Sequence, residues 1–216
     1  GGYPTQPPFP YPNDVLFFDK LQEDKSIIFI KSNTKVYHFQ RLSQRNNKLL
    51  DILPFEKLNL CCGRDRREGY LNSDIMHSDF DIDLSKCRIP LPDQSFSEIL
   101  FRHAIEHFRY DQVDLIVREI HRILKPGGFV DIYSPELSLS CSDYIDGENR
   151  FANCADSINR LFGLGFCDEQ VHRSGFTAKL KRSNNIVSLL TERWNFSKVE
   201  HIDCNDADEF GVRAYK

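Results

Sequence analysis

From Lys57 onward, short apolar runs alternate with stretches of helical period. Runs at 57–61, 70–75, 79–84, 97–102, 128–133, 197–203 and 209–215 predict strands. Val113, Ile116, Val117, Ile120, Ile123 and Leu124 line one face of a helix over Asp111–Leu124. Its last turn is basic (His121, Arg122, Lys125), which suits the negative end of a helix, and Pro126-Gly127-Gly128 stops it. A second helix over Asn184–Trp194 carries Ile186, Val187, Leu189 and Leu190 at helical spacing. Strands alternating with helices imply a mostly parallel sheet covered on both faces. No internal repeat is visible.

Two stretches stand outside that alternation. Residues 1–56 read as an N-terminal extension: a proline-rich lead-in, short strands Ser26–Ile30 and Lys35–Phe39 around Ser32-Asn33-Thr34, then a helix through Leu42–Leu53 ended by Pro54. Within the domain of residues 57–216, the segment from about 134 to 182 is too long for a plain connection. Insertions at the carboxyl ends of strands shape ligand sites, so it is expected to be a substrate cap.

Composition narrows the class. With 40% hydrophobic and 28% charged residues the chain is an ordinary globular sequence. A formal net charge of −4 argues against a nucleic-acid module. The seven cysteines are odd in number, include the adjacent Cys61 and Cys62, and form no CxxC pair, so they read as reduced thiols. Cys141, Cys154, Cys167 and His172 are the one set spaced to consider for zinc. They lack the close ligand pairs of structural sites, and no metal is assigned. No run reaches membrane-spanning length and no signal-peptide pattern opens the chain, so a cytoplasmic setting is expected. The chain starts Gly1-Gly2 and its only methionine is Met76, which reads as an added leader or the edge of a longer native protein.

The chemistry begins at Leu58-Asn59-Leu60-Cys61-Cys62-Gly63, an apolar strand entering a glycine turn where backbone N–H groups can approach a ligand. Eleven residues beyond Gly63, a second short strand ends in Asp74, an acceptor for ribose hydroxyls, with Ile75 and Met76 beside it to cover a purine. Then follow Asp83-Leu84, Leu91-Pro92-Asp93-Gln94-Ser95-Phe96-Ser97, His103-Ala104-Ile105-Glu106-His107 and Arg122-Ile123-Leu124-Lys125-Pro126-Gly127-Gly128. Taken in order, these motifs resemble the type 11 branch of class I S-adenosylmethionine (SAM)-dependent methyltransferases, the group that includes ubiquinone/menaquinone-type enzymes. The likeness covers residues 57–133 and, more loosely, Glu209–Lys216. It implies a Rossmann-like, seven-stranded, mostly parallel sheet with helices on both faces and the last strand antiparallel. It also implies that Asn59, Cys61 and Gly63 hold the methionine moiety of SAM, Asp74 its ribose with Ile75 alongside, and Asp83 and Leu84 its adenine. Cys61 departs from the family's glycine, and Asn59 replaces the acid often found two residues earlier.

Methyl transfer asks the protein to align an acceptor with an activated methyl group and to exclude water; a hydroxyl acceptor also needs a base. His103 is the first candidate for a base or an orienting residue, with His107 beside it; Glu106 reads as structural. Two rival readings use the same residues. His103-x-x-Glu106-His107 matches the inverted zinc-hydrolase motif, although it follows a strand pattern rather than a helical one. Cys61 favours a non-catalytic, methyltransferase-like binding domain. For the acceptor, the polar and aromatic cap points to a small-molecule or glycan hydroxyl contacted by Tyr144, Arg160 and His172. Phe151, Phe162, Phe166 and Phe176 keep an aromatic or quinone acceptor open. Oligomeric state is not legible.

Overall fold

The computed structural model describes residues 55–146, 154–163, 170–204 and 208–216. The elements expected before Pro54 lie outside these residues. Six strands form one sheet: β1 (Lys57–Leu60), β2 (Leu71–Ser73), β3 (Phe96–Arg102), β4 (Leu124–Pro135), β5 (Lys198–Ile202) and β6 (Glu209–Tyr215), in the order β2-β1-β3-β4-β6-β5. The pairs among β1 to β4 are parallel, whereas β6 runs antiparallel between β4 and β5. This is the expected Rossmann-like class with an antiparallel last strand. The order turns outward in both directions from β1, so the carboxyl ends of β1 and β3 flank a switch point where such sheets bind ligands.

The seventh strand, expected over 79–84, is absent from the described residues. Its alternation is present, because Phe80, Ile82 and Leu84 are buried. The aspartates between them divert the backbone. Asp79 accepts the Asn72 N–H (3.0 Å), Asp81 that of Ser78 (3.1 Å) and Asp83 that of Ser85 (3.1 Å). Side chains that hydrogen-bond to nearby backbone compete with a strand ladder, and here they win.

Helix α1 (Tyr110–Ile123) packs Val113, Ile116, Val117, Ile120 and Ile123 inward, all nearly inaccessible. It does not end on Pro126-Gly127-Gly128 as expected. Leu124 already has extended backbone, and Lys125–Gly128 form a bulge inside β4 opposite Phe96–Glu98. A Cβ on Gly128 would lie 2.9 Å from the Ser97 carbonyl oxygen, so this close strand approach needs glycine. Arg122 binds the preceding loop to α1, donating to the carbonyls of Ile89 (2.8 Å) and Leu91 (2.9 Å) and to Asp93 (2.6 Å). The Asp93 and Arg122 motifs are thus joined in space. The helix expected over 184–194 divides into one α turn, Ile186–Ser188, and a π turn, Leu189–Arg193.

In the segment expected to form a cap, α2 (Leu137–Asp146) and α3 (Cys154–Phe162) are helical. Buried Glu136 ties the cap to the sheet by accepting the N–H groups of Ser138 (3.2 Å) and Ala178 (2.8 Å). No helix among the described residues is long and apolar enough to cross a membrane.

Candidate active site

Parallel strands β1 to β4 bring their carboxyl ends to one edge, and antiparallel β6 begins there, with Glu209 opposite Pro135. After β1 comes a turn in which Cys61 (φ 56°) and Gly63 (φ 52°) are both left-handed. The Cys62 N–H donates to the Ser73 carbonyl at 3.0 Å and fastens the turn to the end of β2. Nothing lies within 4 Å of where a Gly63 Cβ would stand, so the turn faces open space. The Gly63 N–H donates to Oδ2 of Asp74 and the Ile75 N–H to Oδ1, both at 2.7 Å. Each carboxylate oxygen keeps a lone pair for a further donor. Ile75 and Met76, beside it, are 46% and 59% exposed.

The other expected cofactor residues have partners within the fold. Asn59 is buried beneath the turn and donates to the Asp65 carbonyl (2.6 Å) and to Asn72 (3.1 Å). Asn72, which the sequence reading overlooked, also accepts the Arg67 N–H at 2.8 Å and so shapes the loop after the turn. Asp83 caps the short helix Leu84–Lys86, and its hydrogen bond from Ser85 helps hold its carboxyl below the usual range. Leu84 is core, 3% exposed.

After β3, His103 takes left-handed backbone (φ 46°) and leads into the short helix Ile105–His107. Both of its ring nitrogens face carboxylates. Nε2 is 2.6 Å from Glu209, and Nδ1 is 3.7 Å from Glu106, too far for a direct hydrogen bond. Glu106 and Glu209 together raise the imidazole to about 9, although burial opposes them. Between two carboxylates His103 is placed as a donor. Glu106 is buried and accepts the Ser134 hydroxyl at 3.0 Å. Burial first, then the Asp74 carboxylate, push the Cys61 thiol up.

His107 and His172 meet edge to face, with ring centroids 5.0 Å apart. Nδ1 of His107 lies 3.4 Å from the Val171 carbonyl oxygen, and Nδ1 of His172 lies 2.9 Å from that of Arg160. The 171–174 segment is held over the site because the N–H groups of Arg173 and Ser174 both donate to the Glu106 carbonyl. Of the other expected acceptor contacts, Tyr144 is 58% exposed, whereas Arg160 is mostly buried and paired with Asp208 at 3.0 Å. The inverted zinc-hydrolase geometry is not formed: His103 belongs to Glu209, and the three-residue helix does not present the two histidines on one face.

A family model described as a methyltransferase domain matches residues 58–132. Over this stretch the chain is similar to a methyltransferase domain. Among solved structures it is similar to a SAM-dependent methyltransferase, possible histamine N-methyltransferase, from Thermotoga maritima (13% identity, 81% of this chain and 92% of that one, TM-score 0.50). It is also similar to SAM-dependent methyltransferases from Methanosarcina mazei (16%, 78% and 96%, TM-score 0.49) and Archaeoglobus fulgidus (13%, 94% and 99%, TM-score 0.49). At 13% identity the likeness to the Thermotoga maritima protein is one of fold. No curated protein matches the chain.

The methyltransferase domain match runs from β1 into β4 and so contains the Cys61–Gly63 turn, Asp74 and His103–His107. Glu209 and His172 lie beyond it. A separate cavity of about 410 Å³ opens between α2 and residues 177–184, lined by Leu137, Cys141, Ile145, Thr177 and Leu180 among others. None of the expected site residues lines it. Of the cysteines considered for zinc, Cys141 is a free thiol on this cavity's wall; Cys167 and the side chain of Cys154 lie outside the described residues.

Proposed function

We propose that the chain is a SAM-dependent methyltransferase acting on a hydroxyl of a small molecule or glycan. The observation that carries this reading is the Asp74 carboxylate, fixed by the Gly63 and Ile75 amides at the switch point of the sheet. Its residues suit the cofactor. The open turn admits a chain beside backbone, Asp74 keeps lone pairs for two ribose hydroxyls, and Ile75 and Met76 offer apolar cover to a purine. Bound there, SAM supplies a methyl group on a sulfonium that leaves readily.

The chain's part is to hold and to orient. Asn59 and Asn72 stiffen the loop beneath the turn, while His103 projects from the end of β3 as an orienting donor. His107 and His172 border the acceptor side, and Nε2 of each makes no hydrogen bond among the described residues. A cytoplasmic setting belongs to the same proposal, supported by the free thiols of Cys61, Cys62, Cys87 and Cys141. The test is to incubate the protein with methyl-labelled SAM and a panel of sugars, glycans and phenols. Label in an ether linkage on one class supports the reading and names the acceptor. SAM binding with no transfer to any class favours a non-catalytic binding domain instead.

A further inference from the structure

We propose that Glu106, His107 and His172 form a site for a divalent transition-metal ion of the zinc type, open towards the acceptor. One donor atom from each residue lies within 4.8 Å of the other two. Two imidazoles and a carboxylate are a donor set found in zinc sites that keep a coordination position for a non-protein oxygen. Around a tetrahedral ion at about 2.1 Å, ligand atoms stand roughly 3.4 Å apart, so the cluster has to close by roughly an ångström or so.

The surroundings of the cluster are those of a metal site. Nδ1 of His107 and of His172 each faces a backbone carbonyl, of Val171 and Arg160, a contact that fixes ring orientation and leaves Nε2 to coordinate. Glu106 is buried, and its Oε2 accepts the Ser134 hydroxyl. No arginine or lysine is seen to pair with this carboxylate among the described residues; its nearest cationic partner is His103, 3.7 Å away. Two ligands come from the helix after β3 and one from the cap, so the ion would clamp the cap to the sheet edge. The set differs from both metal arrangements weighed on the sequence, since it uses neither His103 nor any cysteine. The ion's further role, holding an acceptor oxygen and lowering its pKa, rests on the proposed function; the site itself does not.

The test is calorimetric titration of the chelator-stripped full chain with Zn²⁺, repeated with Co²⁺ followed by its visible absorption. The expected result is about one equivalent bound, with tetrahedral-type cobalt bands. H107A and H172A should each weaken binding by roughly 100-fold or more, while C141S leaves it unchanged. Circular dichroism reports whether each variant folds. If H107A does not, H172A decides, because its ring sits on the 171–174 segment rather than in the core. Absence of stoichiometric binding, full affinity in folded H172A, or loss on cysteine substitution overturns the site. SAM affinity is titrated separately without metal; its failure would remove the methyltransferase reading and leave the ion site standing.

Discussion

The backbone amide of Gly63 donates to Oδ2 of Asp74 across 2.7 Å, joining the turn after β1 to the end of β2. One carboxylate thereby sets the shape of the turn and offers acceptors to whatever enters it. Asp74→Ala is expected to weaken binding of SAM and its demethylated product S-adenosylhomocysteine by roughly 10- to 100-fold, the worth of one or two charge-assisted hydrogen bonds. Asp74→Asn should lose less, because one oxygen still accepts the Gly63 amide. Calorimetry measures both; unchanged affinity in the alanine variant would show that the ribose lies elsewhere.

Cys61 occupies backbone that glycine adopts without penalty, at φ 56°. Left-handed backbone costs a non-glycine residue about 1–2 kcal/mol, partly offset by the greater freedom of glycine in the unfolded chain. Cys61→Gly should therefore stabilise the protein by about 1 kcal/mol in urea unfolding. Nucleoside affinity is expected to hold or improve. A destabilised variant would mean that the thiol makes packing contacts worth more than the strain.

His103 lies between Glu106 and Glu209, and the proposed function gives it an orienting role. His103→Ala should cut turnover by roughly tenfold or more while leaving S-adenosylhomocysteine affinity within about twofold, as a loss of positioning does. Equal losses in kcat and affinity would make it a cofactor ligand.

The sequence showed most plainly what local pattern and chain order determine. The core face of α1 and the strand entering the Gly63 turn follow from periodicity, and the Asp93 and Arg122 motifs from the family resemblance. Its misreading at 79–84 has a local cause: Phe80, Ile82 and Leu84 alternate as in a strand, but Asp79, Asp81 and Asp83 bind backbone and bend the chain. The partners of the site were hidden for another reason. Glu209 reaches His103 only because β6 runs antiparallel beside β4, and His172 reaches Glu106 and His107 only through the cap. Such long-range meetings leave no spacing signal. Asn59 is buried beneath the turn, and its bonds to Asp65 and Asn72 likewise leave no spacing signal.

Trp194 is the protein's single tryptophan, and its indole N–H donates to Asp114 at 2.8 Å. The hydrogen bond from Arg193, with that from Trp194, holds the Asp114 carboxyl below its ordinary value of 3.8. A lowered folded value means that this carboxylate's stabilisation is fully present above about pH 4 and is lost as pH falls through the folded value. Trp194 emission should thus stay constant through the normal carboxylate range and change only below it. In Asp114→Asn that low-pH step should vanish. A transition at or above the ordinary value in the parent protein would contradict the assignment.

The most direct measurement is calorimetric titration of the full chain with S-adenosylhomocysteine, which binds the same groups without turnover. The account predicts saturable binding at one site with roughly micromolar to sub-millimolar affinity, abolished or strongly weakened by Asp74→Ala. A folded protein that gives no binding heat and no thermal shift up to millimolar ligand would contradict it.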